Sequence, residues 1–303
     1  MRIKIRWWLG VAAASLGCRA ADAPGGNGPP VVASPGAPVV LVGAGDIASC
    51  AAQEDEATAR LLDSLVRSPL PVVVFTTGDN AYENGTASEF AQCYDPTWGR
   101  HKARTRPAPG NHDYNSPGAT GYFDYFGAAA APASAGYYSF DAGDWHVIVL
   151  NSNIAMAAGS DQERWLRADL AADGARCTLA IWHHPRFTSG SKHGSITGVG
   201  PLWDALYGAG ADVVINGHEH SYERLAPQTP AGVPDPARGM REFIVGTGGQ
   251  GLSSFGTPLP TSEVRNATTF GVLKLTLRPG EYSWEFVPVA GATFTDSGSG
   301  SCH

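Results

Sequence analysis

The feature that constrains the fold most is a polar motif that directly follows a strongly apolar run. The motif is GDNAY at residues 78–82, and it follows PVVVFTT at residues 71–77. A β-branched run of this kind is typical of a buried strand. In open α/β sheets, ligands bind in the loops at the carboxyl ends of strands. A carboxylate and a phenol in such a loop are well placed to bind a metal ion, although Gly-Asp-Asn is also ordinary turn chemistry.

Four further motifs follow apolar runs in the same way. They are Gly45-Asp46, GNHD at 110–113, HHP at 183–185 and GHEH at 217–220. Taken singly, an aspartate after a strand is usually a turn or cap residue, and a histidine is usually a surface or hydrogen-bonded residue. Six of the nine histidines, however, fall within or near these motifs. Together the motifs predict a single ligand-binding edge.

The side-chain types in these motifs suit two metal ions that lie close together. A carboxylate can bridge two ions, because its two oxygens can serve different metals. Imidazole and amide ligands suit a divalent transition ion, whereas phenolate and carboxylate suit a harder, trivalent one. His218 and His220 can reach one site only if the backbone turns, which Gly217 permits. The candidate ligands are Asp46, Asp79, Tyr82, Asn111, His183, His218 and His220.

Apolar periodicity along the chain predicts a mixed α/β fold. A strand at 39–42, a helix at 54–66 and the strand at 71–77 form a βαβ unit, which implies a parallel pair with a right-handed crossover. Alternation of this kind followed by hairpins predicts two mixed sheets packed together, with helices outside. The other predicted elements are a partly helical stretch at 87–104, helices at 161–170 and 202–206, strands at 178–182, 213–215 and 242–245, and hairpins at 137–150 and 272–287.

The N terminus has the pattern of an export signal. Residues 1–6 are basic and residues 7–16 form an apolar stretch that is too short to span a bilayer. We expect a signal peptide over residues 1–23, or a lipoprotein signal that ends at Cys18 and leaves a lipid anchor in the membrane. Residues 24–38, rich in Pro, Gly and Ala, predict a flexible linker before a catalytic domain at 39–303. Export places the protein in the periplasm, at the cell surface or outside the cell.

An exported chain keeps its cysteines in an oxidising environment. Apart from Cys18, four cysteines remain, which permit two bridges and three connectivities. The pair Cys50–Cys93 is favoured because both residues follow motif-bearing strands, and this leaves Cys177–Cys302. Free buried thiols are the alternative.

The ordered series GD, GDNAY, GNHD, HHP and GHEH resembles the calcineurin-like metallophosphoesterases over roughly residues 39–290. The tyrosine of GDNAY makes it similar to the purple acid phosphatase branch. This resemblance implies the four-layer α/β/β/α sandwich of two mixed sheets that characterises the metallophosphoesterase fold. It implies a trivalent iron bound by Asp46, Asp79, Tyr82 and His220. It also implies a divalent iron, zinc or manganese bound by Asp79, Asn111, His183 and His218, with Asp79 as the bridge.

The same resemblance assigns roles to histidines outside the ligand set. The family's ligand stands two residues before the proline of HHP, which selects His183 over His184. His112 and His193 match the family's outer histidines, which contact the phosphate and protonate the leaving group. The implied reaction is hydrolysis of a small phosphomonoester by a metal-bound hydroxide. Glu219 stands where the family is variable and receives no role.

Two other functions stay open at the level of sequence. A phosphodiesterase of the same superfamily, acting on nucleotides or glycerophosphodiesters, needs the same two metals. A phosphate- or metal-binding protein without activity could keep the same fold. The net charge of −7, with no Lys/Arg cluster after the N terminus, argues against a nucleic-acid-binding surface. The sequence does not indicate the oligomeric state.

Overall fold

The computed structural model describes residues 33–130 and 135–303. The predicted signal peptide at 1–23 and residues 24–32 of the predicted linker lie outside this range. The strands are β1 (Val39–Ala44), β2 (Ala48–Ser49), β3 (Val72–Thr76), β4 (Ala81–Tyr82), β5 (Thr105–Pro107), β6 (Tyr138–Ala142), β7 (Trp145–Val149), β8 (Cys177–Ile181), β9 (Val213–Asn216), β10 (Tyr222–Leu225), β11 (Arg241–Val245), β12 (Ser262–Asn266), β13 (Gly271–Arg278), β14 (Glu281–Pro288) and β15 (Ser297–Ser301). The α-helices are α1 (Glu54–Leu65), α2 (Ala87–Glu89), α3 (Thr120–Phe126), α4 (Asp161–Ala172) and α5 (Gly200–Ala209).

Shorter helical segments lie mostly between β4 and β6. A π-helical turn covers Phe90–Tyr94 and a 3₁₀ helix covers Trp98–Arg104, so the stretch predicted to be partly helical is confirmed. The remaining 3₁₀ segments are Asp113–Asn115, Pro117–Ala119, Gly127–Ala130 and Thr197–Val199. No helix within the described ranges is long and apolar enough to cross a membrane.

The first sheet has six strands in the order β15-β14-β13-β1-β3-β5. Strands β1, β3 and β5 are parallel, which confirms the predicted βαβ unit. Val40 lies opposite Val72 and Ala44 lies opposite Thr76, so β1 and β3 end level with one another. The predicted hairpin of β13 and β14 completes the antiparallel half of the sheet. The level carboxyl ends bring the loops that follow β1 and β3 to the same edge.

The second sheet has seven strands in the order β12-β10-β11-β9-β8-β7-β6. Strands β7, β8, β9 and β11 are parallel, and the predicted hairpin of β6 and β7 forms one edge. Val149 lies opposite Ile181, which lies opposite Ile215, so these three strands also end together. Each sheet therefore presents a row of carboxyl-terminal loops.

The two sheets pack face to face, with helices on their outer faces. Val147, Leu179 and Val213 of the second sheet belong to the core between the sheets. Their neighbours in sequence, Ile148 and Ala180, point the other way, into a second core formed with α4 and α5. This alternation is the period-two side-chain pattern of a strand buried on both faces. Helix α1 packs on the first sheet, against β1 and β13. The predicted four-layer α/β/β/α sandwich is confirmed.

Two disulfides connect distant parts of this sandwich. Cys50 is bonded to Cys93, with their Cα atoms 5.0 Å apart, and Cys177 is bonded to Cys302, with a Cα separation of 5.4 Å. Both pairs are the ones favoured from the sequence. The end of the predicted linker contacts the domain, since the Gly36 amide donates to Asp144 Oδ1 at 3.0 Å.

Candidate metal centre

All seven candidate ligands lie at the edge where the carboxyl ends of the parallel strands of both sheets meet. Asp46 and Asp79 follow β1 and β3 of the first sheet. His183 follows β8 of the second sheet. The other candidates are Tyr82 in β4, Asn111 after β5, and His218 and His220 between β9 and β10. The side chains of the five motifs thus form a single cluster at the edge that the motif positions predicted.

Several of these residues have an unusual backbone conformation. The φ angles of Asp46, Asp79 and His218 are 58°, 52° and 70°. Residues other than glycine adopt this left-handed region at a cost of about 1–3 kcal/mol. The turn expected at Gly217 is therefore made by His218. Glycine is needed at 217 for a different reason: a Cβ there would lie 2.6 Å from Thr77 Oγ1 and 2.7 Å from Asp46 Oδ2.

One group of ligand atoms surrounds the Tyr82 hydroxyl. This oxygen lies 3.0 Å from Asp46 Oδ1 and 2.9 Å from Asp79 Oδ2. His220 Nε2 is 3.4 Å from the Tyr82 hydroxyl and 3.4 Å from Asp46 Oδ1. Ligand atoms that are about 2.0–2.2 Å from one ion are themselves roughly 3.0–3.5 Å apart. The four side chains therefore have the spacing of a coordination shell.

A second group surrounds His183 Nε2. This nitrogen lies 3.0 Å from Asn111 Oδ1 and 3.1 Å from His218 Nδ1. It is also 3.3 Å from Asp79 Oδ2, the oxygen that lies beside Tyr82 in the first group. Asp79 Oδ2 thus belongs to both groups, so a single oxygen is placed to bridge two ions. The two-oxygen bridge expected from the sequence is not formed, because Oδ1 accepts the His112 amide instead.

Hydrogen bonds on the far side of the imidazoles orient two of the candidate ligands. His183 Nδ1 lies 2.9 Å from the Thr77 carbonyl oxygen, and His220 Nδ1 lies 2.8 Å from the Gly251 carbonyl oxygen. A carbonyl accepts only, so Nδ1 carries a proton in both rings and Nε2 is the nitrogen that faces the cluster. Metal-binding histidines usually have an outer partner of this kind.

The electrostatics of the cluster favour the binding of cations. A phenol has one proton, so the Tyr82 hydroxyl cannot satisfy both neighbouring carboxylates. Burial and the charges of Asp46 and Asp79 raise the pKa of Tyr82 well above its ordinary value. Burial lowers the pKa of His183, but the charge and hydrogen bond of Asp79 outweigh it and raise this pKa to about 9. Both groups therefore attract positive charge, and their oxygen and nitrogen ligands fit two metal ions.

The predicted outer histidines lie on two sides of this cluster. The His112 amide donates to Asp79 Oδ1 at 2.8 Å, and His112 Nδ1 lies 2.7 Å from the Glu83 carbonyl oxygen. His112 Nε2 is 4.0 Å from Asp79 Oδ2. The ring of His193 packs on that of His218, with centroids 4.0 Å apart, and burial lowers the pKa of His193.

The doubled histidine of the HHP motif divides into two roles. His183, which the position of the proline selects as the candidate ligand, contacts Asp79 and Asn111. His184 instead has its Nδ1 2.7 Å from Ser152 Oγ and its ring 4.4 Å from that of His218. Burial and the neighbouring His183 lower the pKa of His184 to about 3. His184 is therefore a neutral neighbour of the cluster.

Asp113 is a residue of the site that received no role from the sequence. It is fully buried and accepts hydrogen bonds from the Gly110 amide at 2.8 Å and from Asn80 Nδ2 at 2.9 Å. Burial and the charge of Asp79 raise its pKa to about 7. Asp113 therefore connects the GDNAY and GNHD loops. Its position as the last residue of the GNHD motif was the sequence feature that could have indicated a role in the site.

Comparison with known proteins identifies relatives of the chain. A family model described as calcineurin-like phosphoesterase matches residues 39–222. Purple acid phosphatase 15 of Arabidopsis thaliana is 30% identical over 190 residues, which cover 51% of this chain and 36% of that protein. Purple acid phosphatase 21 of the same plant is 29% identical over 280 residues, or 82% of this chain and 60% of that protein. The chain thus spans only part of the length of these relatives.

A solved structure has the same fold. A purple acid phosphatase isolated from yellow lupin (Lupinus luteus) seeds superposes with a TM-score of 0.78. The match covers 90% of this chain and 55% of the lupin chain, at 20% sequence identity. At that identity the likeness concerns the fold.

Proposed function

Since this chain belongs to the calcineurin-like phosphoesterases, a family of metal-dependent phosphoric ester hydrolases, we propose that it is a dinuclear-metal phosphatase that hydrolyses small phosphomonoesters. The purple acid phosphatases among its relatives support that branch of the family. The observation that carries the proposal is the shared position of Asp79 Oδ2, which is 2.9 Å from the Tyr82 hydroxyl and 3.3 Å from His183 Nε2. One carboxylate oxygen placed between two sets of candidate ligands can bridge a pair of adjacent ions.

Each set of side chains matches one kind of ion. A trivalent iron would be bound by Asp46, Asp79, Tyr82 and His220. A divalent iron, zinc or manganese would be bound by Asp79, Asn111, His183 and His218. When bound, the two ions would neutralise the phosphate oxygens and acidify a water molecule.

The residues of the chain supply orientation and a proton. The Nδ1 proton of His112 is committed to the Glu83 carbonyl oxygen, so the proton for a leaving group would be carried on Nε2, the nitrogen that faces Asp79. His193 lies on the His218 side of the cluster and offers a second imidazole. Proton donation by a positioned imidazole accelerates ester cleavage by about 10²–10⁴-fold.

We also propose that the protein is exported. The pattern of residues 1–23 and the two disulfides support this, because disulfides persist in oxidising compartments. Peptide mapping and mass spectrometry of the mature protein test cleavage after Ala23 against lipidation of Cys18. Recovery of the full-length chain from the cytoplasm alone would contradict export.

The activity is tested on protein purified from an oxidising compartment. Metal content and turnover of p-nitrophenyl phosphate and bis(p-nitrophenyl) phosphate are measured for the wild type and for Asp79→Asn. We expect about two metal ions per chain, a higher kcat/KM for the monoester, and loss of both ions in the variant. A higher kcat/KM for the diester would favour a phosphodiesterase. Two bound metals without turnover of either ester would indicate a protein that only binds metal or phosphate.

A further inference from the structure

The loop that carries His193 is tied to the second sheet by three buried glutamates. We call residues 186–195 the His193 loop. Glu219 lies between β9 and β10, Glu223 in β10 and Glu242 in β11, and all three are fully buried. Carboxylates are almost never fully buried unless they are paired, so the partners of these three show what they do.

Two of the glutamates bind the first half of the His193 loop. Glu242 Oε1 accepts hydrogen bonds from the Arg186 amide at 3.0 Å and the Phe187 amide at 3.3 Å. Glu223 Oε2 accepts one from the Ser189 amide at 2.8 Å. The second sheet therefore orients the start of the loop through its backbone.

Glu219 binds the part of the loop that carries the catalytic candidate. Its Oε1 accepts the amides of His193 at 2.5 Å and Gly194 at 2.7 Å. Its other oxygen, Oε2, lies 3.3 Å from Ser253 Oγ. The side chain passes directly beneath Gly190, where a Cβ would overlap the carboxylate. The contact is thus built from both sides, by a carboxylate and by a glycine that leaves room for it.

We propose that Glu219 is a positioning residue that holds the imidazole of His193 over the metal centre. His193 and its neighbour Lys192 are exposed, so the loop has little buried side-chain surface of its own at this point. A carboxylate that accepts two adjacent amides makes strong, charge-assisted hydrogen bonds. These bonds fix the backbone of His193, whose ring then packs 4.0 Å from that of His218. The kinetic part of this inference rests on the proposed phosphatase function.

The two carboxylate oxygens of Glu219 have different partners, and this difference predicts how two substitutions will behave. Both loop amides are accepted by Oε1 alone. A glutamine at 219 keeps an oxygen in that place and turns its amide group toward Ser253. Glu219→Gln should therefore preserve the position of His193, whereas Glu219→Ala removes both hydrogen bonds.

Hydrogen exchange of the loop tests the contact without reference to activity. We expect exchange of the His193 and Gly194 amides to rise at least tenfold in Glu219→Ala and to stay within about threefold of wild type in Glu219→Gln. Gly190→Ala should reproduce the alanine result, because the new methyl group displaces the carboxylate. In the double variant that combines Glu219→Ala and Gly190→Ala, these amides should exchange no faster than in Glu219→Ala alone. Unchanged exchange in both Glu219→Ala and Gly190→Ala overturns the contact.

The kinetic test separates positioning from general structural damage. In Glu219→Ala, kcat should fall tenfold or more on a phosphate ester with a poor leaving group, and several-fold less on p-nitrophenyl phosphate. His193→Ala should show the same difference in kcat loss between the two esters. Adding Glu219→Ala to His193→Ala should cause no further loss of kcat. The matched control is Glu163→Ala, which removes another buried glutamate that accepts a backbone amide, that of Gly159 at 2.9 Å. Equal losses on both esters would overturn the positioning role.

The outcomes distinguish this inference from the proposed function. If the wild type hydrolyses no phosphate ester, the proposed function fails, and hydrogen exchange still decides whether Glu219 holds the loop. If the wild type is active but Glu219→Ala keeps wild-type exchange and kcat, the inference fails and the proposed function stands. Metal content is measured for each variant, and Gly190→Ala repeats the test with the whole 217–220 segment unchanged.

Discussion

Substitution of Gly217 by alanine is a sharp test of how closely the two sheets approach at the metal centre. The Cβ of alanine would lie 2.6 Å from Thr77 Oγ1 and 2.7 Å from Asp46 Oδ2. Asp46 Oδ2 also accepts the His218 amide at 2.9 Å, so it cannot move without disturbing that residue. The φ angle of Gly217 is not positive. The effect of the substitution is therefore steric.

The size of the effect follows from these distances. Comfortable contacts require the neighbouring atoms to move by about 0.3–0.8 Å. Overpacking of this kind costs about 1–3 kcal/mol, so Tm should fall by several degrees while the chain still folds. Catalytic groups must be held within about 0.5 Å of their working geometry. We therefore expect a loss of kcat of about 10–100-fold, with weaker metal binding, because Asp46 is one of the proposed ligands.

Differential scanning fluorimetry, metal titration and steady-state kinetics on p-nitrophenyl phosphate measure the three effects. The matched control is Gly174→Ala, since a Cβ at Gly174 would contact nothing within 4 Å and the glycine has no positive φ. We expect the control to match the wild type in all three assays. Wild-type metal affinity and kcat in Gly217→Ala would refute the close approach of Asp46 to the β9 loop.

Three further predictions concern other parts of the molecule. Tyr82→Phe should remove the visible charge-transfer band expected of an iron-bound phenolate while leaving the fold intact, and an absorption spectrum checks this; a colourless wild type would contradict it. Burial lowers the pKa of His146, but the hydrogen bond and charge of Asp169 outweigh it, and the pKa is raised. The stabilisation by His146 should therefore be complete below the unfolded pKa of about 6.5 and lost as pH rises through the folded pKa. In urea melts, His146→Asn should lower the free energy of unfolding more at pH 5.5 than at pH 9. Replacing Cys50 and Cys93 by alanine should lower the free energy of unfolding by about 4 kcal/mol, and a loss below about 1 kcal/mol would contradict this loop-closure estimate.

The elements that were predicted correctly are those with a strong local pattern. The β-branched runs of β1 and β3 and the apolar stripe of α1 define their elements within a few residues. Strands β10, β12 and β15 were missed, and their sequences are YERL, SEVRN and SGSGS. Such segments have little hydrophobic alternation and become strands because they pair with a neighbour that is already in place. Pairing of this kind is a property of the assembled sheet.

The sequence by itself determined the candidate ligands, because each motif follows an apolar strand and strand ends converge in α/β sheets. Only the tertiary structure decided which atoms meet: that Asp79 Oδ2 serves both groups, and that His183 rather than His184 contacts it. It also decided that His218 adopts the left-handed conformation, while Gly217 is required by the approach of Asp46. The contact between Glu219 and the His193 loop likewise became visible only in the tertiary structure. Local periodicity records which face of an element is buried, whereas contacts between loops from different strands depend on register and sheet packing, and these emerge only when distant segments assemble.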